Sequence, residues 1–86
     1  MPSTPRKHRL SPEQREALDL LASDPQGATE ELLVLAHGFD GDMIAGLVHS
    51  GLAMARRENM KAGDRAIEVV RIRITGAGRA ALADQD

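Results

Sequence analysis

The spacing of apolar residues changes from helical to strand-like at Gly51. Before it, Ala17, Leu18 and Leu21, and later Ile44, Leu47 and Val48, recur three and four positions apart, the period of a helix with one buried face. After it, Val70, Ile72 and Ile74 alternate with Arg71 and Arg73, the period of a strand buried on one side. This switch from helical to strand spacing restricts the chain to an α+β domain whose helices precede a hairpin. At 86 residues it is one small domain. Phe39 is the sole aromatic residue, so Leu, Ile, Val, Met and Ala must supply the core. Phe39 itself is expected to close that core over the turn between two helices.

Local signals place the helices. Ser11 is a good N-cap, Pro12 suits the first helical position, and Gln14 completes a capping box with Ser11. Pro25 disfavours helix at Asp24 and stops this first helix. Thr29 caps a second, two-turn helix, with Glu30 and Glu31 near its positive end and Leu32, Leu33, Leu35 and Ala36 as its buried side. Gly38 is its left-handed terminator, and His37 lies near the negative end of its dipole. Asp40 caps a third helix that ends at Gly51, with Leu52 making the apolar contact of a Schellman motif. The short turn 38–40 makes helices two and three a helix-turn-helix.

Residues 52–57 and 67–74 read as strands, joined by a loop over 58–66 that carries Gly63-Asp64 and is long enough to be mobile. Val69 beside Val70 breaks the alternation, so a bulge or a register change is expected there. Arg71 and Arg73 are assigned to the solvent face of the strand. Thr75 caps a last helix reaching Leu82, which Gly76 and Gly78 weaken unless Gly78 admits a close neighbour.

The order helix, helix, turn, helix, hairpin, helix resembles the winged helix-turn-helix. The run Leu47-Val-His-Ser-Gly51-Leu52 resembles the end of its third helix leading into the first wing strand. The run Arg73-Ile-Thr75-Gly-Ala-Gly78-Arg79-Ala-Ala-Leu82 resembles the strand-to-helix exit of MarR-like bacterial transcription regulators. The resemblance covers about residues 10–83. It implies an α+β winged helix-turn-helix: three helices followed by a β-hairpin wing and a short C-terminal helix. It also implies a third helix in the major groove of DNA and a wing on phosphates. Dimerisation in that family uses long helices outside the winged core. With residues 1–9 before the core and 83–86 after it, a monomer, or a dimer built by another route, is expected.

The formal net charge of −2 conceals a partition. Residues 1–9 carry three bases and no acid, with two prolines, and read as a disordered basic arm. Residues 10–54 hold one base and eight acids, a net of −7; residues 55–83 hold seven bases and three acids, a net of +4. Residues 84–86 form a short tail. The candidate nucleic-acid-binding residues are therefore Arg56, Arg57, Lys61 and Arg65 on the wing, with His49 on the third helix. Opposite its buried stripe that helix presents Asp42, Ala45, Gly46 and His49, none of them Arg, Lys, Asn or Gln, the usual readers of guanine and adenine edges. Two functions stay open: a small DNA-binding, transcription-regulator-like protein contacting phosphates through its wing and N-terminal arm, or a winged helix that binds a protein partner on the helix two and helix three face.

Other classes find little support. The absence of cysteine removes disulfides, thiolate metal sites and thiol nucleophiles together. His37, Asp40 and Asp42 lack a fourth metal ligand, and Asp40 is needed as a cap. Ser11, Thr29 and Thr75 stand at helix starts, where capping accounts for them. Gly76-Ala-Gly78 lacks the lysine of a P-loop. The expectation is a non-enzymatic protein without a cofactor. The longest apolar run, residues 32–36, is far short of a membrane span, so a soluble cytoplasmic protein is expected.

Overall fold

The computed structural model describes residues 10–84; the expected basic arm at 1–9 and the last two residues of the tail lie outside the described residues. Helix α1 spans Pro12–Ala22. Its capping box is closed in both directions: the Gln14 backbone N–H donates to Ser11 Oγ at 3.1 Å, and the Ser11 N–H donates to Gln14 Oε1 at 2.9 Å. Strand β1 is only Ala28–Thr29. Helical segment α2 covers Leu32–Ala36, and α3 covers Gly41–His49. Strands β2 (Ala53–Ala62) and β3 (Arg65–Ile74) form a hairpin, followed by α4 at Gly76–Ala83. The described residues thus form a small α+β domain with four helices and a three-stranded antiparallel sheet in the order β1-β3-β2.

The core lies between the helices and the root of the sheet. Leu18 and Leu21 of α1, Leu33 of α2, Ile44 and Leu47 of α3 and Ile72 of β3 are fully buried. Burying a side chain of this size contributes roughly 1.5–3 kcal/mol relative to exposure, so these six dominate the stability. Phe39 is buried beneath the turn, as expected, with the exposed His37 ring stacked on it at a centroid distance of 5.9 Å. The Asp40 N–H donates to Glu13 Oε2 at 3.1 Å, tying the start of α3 to α1.

The expected ends of α3 are present. Asp40 Oδ1 accepts from the Asp42 N–H at 3.0 Å. The Leu52 N–H reaches back to the Leu47 carbonyl at 2.9 Å and the Gly51 N–H to the Val48 carbonyl at 3.1 Å, the two bonds of a Schellman ending. Thr29 Oγ1 accepts from the Leu32 N–H at 3.2 Å across the helical turn at residues 30–31 that leads into α2, and Thr29 also pairs with Arg71 in the sheet. That pairing, and β1 as a whole, was not visible in the sequence.

Three expectations are corrected. Of the residues assigned to the buried side of α2, only Leu33 is buried; Leu32, Leu35 and Ala36 are exposed. The cause is a π turn, in which the His37 N–H bonds to the Leu32 carbonyl five residues back. Widening the turn by one residue removes the face that positions three and four apart share in an α-helix. The loop over 58–66 does not exist either. Both strands continue to a two-residue turn, with Ala62 opposite Arg65 and Gly63 at φ +68°. A glycine with positive φ at the first central position matches a type II′ turn, whose twist suits the strands and lets the polar residues join the ladder. Finally, pairing runs unbroken through Val69 and Val70, opposite Glu58 and Arg57, with no bulge. Val69 stands on the outer face of the hairpin, where no core demands that it turn inward.

Helix α4 is fixed by close approach. Thr75 Oγ1 accepts from the Gly78 N–H at 3.0 Å and donates to the Gly51 carbonyl at 2.6 Å; the Thr75 N–H donates to the Leu52 carbonyl at 3.1 Å. Gly78 is buried, and a Cβ there would collide with the Leu52 carbonyl oxygen. Gly46, inside α3, has open space at its Cβ position. Gly78→Ala is therefore expected to destabilise the domain by about 1–3 kcal/mol, and Gly46→Ala to stabilise it by about 0.5–1 kcal/mol. Urea denaturation of the two variants beside the parent checks both signs.

Candidate nucleic-acid interface

Register determines which hairpin side chains share a face. Residues directly opposite each other in an antiparallel pair point to the same side, and successive residues alternate. Ala55 opposite Ile72 and Arg57 opposite Val70 therefore lie on the inner face, followed outward by Asn59 with Glu68 and Lys61 with Ala66. Met54 with Arg73, Arg56 with Arg71, Glu58 with Val69, Met60 with Ile67 and Ala62 with Arg65 lie on the outer face. The inner face meets α3 at an open groove of about 280 Å³, lined by Glu30, Ile44, Ala45, Val48, His49, Ala55, Val70 and Ile72.

The five candidate residues are thus divided. His49 stands at the groove, and Arg57 and Lys61 continue the same inner face outward, while Arg56 and Arg65 point to the other side. All five are exposed. Asp42, Ala45, Gly46 and His49 form the open side of α3, as the sequence indicates. From residue 59 to residue 68 the hairpin is exposed throughout, so it projects beyond the core by about 16 Å, taking ~3.3 Å per residue.

Arg71 corrects the sequence reading. It is not a solvent-face residue but a half-buried one, whose Nε donates to Glu58 Oε1 at 2.8 Å; the two side chains are only 20% and 29% exposed. The bond runs diagonally between adjacent rungs of the outer face. It relieves the repulsion that Arg56 and Arg71, directly opposite each other, would otherwise suffer. The hydrogen bond from Arg71 holds the Glu58 carboxyl below its ordinary 4.5, reinforced by the charges of Arg71, Arg73 and Arg56. Arg73 is also half-buried, and its Nε has no hydrogen-bond partner among the described residues. The other hairpin ion pair, Arg57 with Glu68 at 4.0 Å, is long and exposed and contributes little. Arg56, Lys61 and Arg65 have no carboxylate partner among the described residues.

The sequence reading also missed exposed apolar side chains. Leu35 is 75% exposed, and Leu32, Met54, Met60 and Ile67 are each about half exposed. For Ile67 the alternation of 67–74 already places it on the face opposite Val70 and Ile72; Met60 joins it there only through the register that the tight turn sets. Among the described residues no three His, Cys, Asp or Glu side chains converge on a metal position, and no helix is long and apolar enough to cross a membrane. Compared with known families, curated proteins and solved structures, the chain gives no significant match to a family model, to a curated protein or to a solved structure.

The Glu58–Arg71 bond gives a pH signature. A depressed carboxylate contributes stability that is present above its unfolded pKa and is lost as pH falls through the folded one. Parent stability is expected to decline below pH 4.5, and Glu58→Gln should start lower at neutral pH and decline less steeply. Denaturation midpoints taken from neutral pH downward check this.

Proposed function

We propose that this chain is a winged helix-turn-helix domain that binds duplex DNA through its phosphates, in the manner of a small MarR-like regulator, with weak sequence readout. The observation that carries this reading is the projecting hairpin, whose Arg57 and Lys61 lie on the same side as α3 and His49 and are exposed. The element order supports it: a helix, a short strand, two helices joined by a tight turn, and a hairpin whose second strand pairs with the short strand. Arg56 and Arg65 extend the phosphate-contacting surface around the edges of the hairpin. The open side of α3 offers a histidine, an aspartate and two small residues, so discrimination between bases is poor. The N-terminal arm adds bases to the same interaction. The protein acts by binding, without catalysis or a cofactor, in the cytoplasm.

A second reading, a protein-interaction module, is favoured by one observation. Leu32 and Leu35 are exposed on α2 beside Glu30 and Glu31, an apolar and acidic surface that repels phosphate.

Titration with mixed-sequence duplex DNA over a range of salt tests the first reading. Four phosphate contacts by Arg56, Arg57, Lys61 and Arg65 give a log–log slope of about −3 to −4, and Arg57→Gln with Lys61→Gln makes it shallower by about 2. Absence of binding at low salt overturns the DNA reading.

A further inference from the structure

We propose that the hairpin tip is a self-association element, in which the Met60–Ile67 pair of one copy seats in the groove between α3 and the hairpin of a second copy. This rests on the second reading, that the α2 and α3 face binds protein, and it names the partner. Met60 and Ile67 are register partners, 46% and 47% exposed, and share the outer face with Val69 and Ala62 on the adjoining rungs. Residues 60–68 are all exposed, so no other part of the described chain covers them. A two-stranded ribbon without packing is marginally stable in water, and a partner on its apolar face removes that weakness.

Charge selects which surface of the second copy is met. The outer face carries Arg56, Arg65, Arg71 and Arg73 against Glu58, a net of +3, so packing two outer faces together is repulsive. Residues 30–50 carry Glu30, Glu31, Asp40 and Asp42 and no Lys or Arg. One wall of the groove is α3 from that acidic segment, with Glu30 at its edge; the other is the root of the hairpin's inner face, with Arg57 and Lys61 further out. Ile44, Ala45, Val48, Ala55, Val70 and Ile72 make it apolar, with Glu30 and His49 as its polar members. At about 280 Å³ it is smaller than the roughly 300–1,000 Å³ of small-molecule pockets, yet it has room for large apolar side chains. Arg65, on the outer-face rung next to the Met60–Ile67 pair, is the complement of Glu30. The projection of the hairpin supplies the reach, and reciprocal exchange of tips closes a two-fold dimer.

Two variants at exposed positions separate the halves of the contact: Met60→Ser with Ile67→Ser removes the tip, and Ala45→Gln fills the groove. Sedimentation equilibrium of the full chain should give a salt-weakened dimer, with a dissociation constant about tenfold or more higher in either variant, and circular dichroism should show both folded. Mixing them should recover part of the association as a heterodimer, because the groove variant's intact tip meets the tip variant's intact groove at one of the two contacts. A parent that stays monomeric at low salt overturns the proposal. So does association that survives loss of the tip, or a mixture that fails to recover, as a tip-to-tip contact would. The tip variant retains Arg57 and Lys61, so its DNA salt slope reports on the DNA reading separately.

Discussion

The hairpin is only as well placed as its two feet, and one residue holds them. Thr75 follows β3 and bonds through its backbone to Leu52, the residue before β2, and through its hydroxyl to Gly51, the end of α3. The same oxygen caps α4. Gly78 then lets α4 sit directly on the Leu52 carbonyl, where a side chain would forbid it. Helix, hairpin and final helix thus meet at a junction of a few atoms. The projection of the hairpin relative to α3 is a consequence of that junction, since its outer half is exposed and has no packing of its own.

The hairpin separates its chemistry by face and by distance from the core. Near its root the outer face is a set of arginines partly absorbed by Glu58, which makes Arg71 a structural cation rather than a free one. Further out, the inner face offers exposed bases on the α3 side, and the outer face offers an apolar pair. A strand's two-residue period produces this division without any further device. One short ribbon can therefore present cations to a polyanion on one side and an apolar contact to a protein on the other. The acidic helices bear on the two roles in opposite ways: they repel phosphate and attract the basic outer face.

Much of the framework is legible in local sequence. Ser11 with Gln14, Asp40, Gly51 with Leu52, and Thr75 are capping signals whose partners lie within a few residues, and each acts as read. The buried residues of α1 and α3 follow from simple helical spacing. Two failures share a cause. The π turn at Leu32–Ala36 and the tight turn at Gly63 each change where side chains point by a single residue of backbone geometry. The first exposes Leu35 with no mark in composition; in the second, the Gly63-Asp64 pair closes a two-residue turn and draws residues 58–62 and 65–66 into the strands. Strand β1 was invisible because two residues carry no period; only the neighbouring Ile72 and Arg71 define it.

The sequence by itself determined the order of the helices and the hairpin, the capped ends of α1, α3 and α4, and the division of charge into an acidic helical part and a basic hairpin. These depend on capping, on period and on counting, all of which act within a few residues. The tertiary structure decided which bases face α3, which carboxylate neutralises Arg71, and which apolar residues are left uncovered. Those outcomes depend on cross-strand register and on contacts between distant segments, and a local pattern fixes neither.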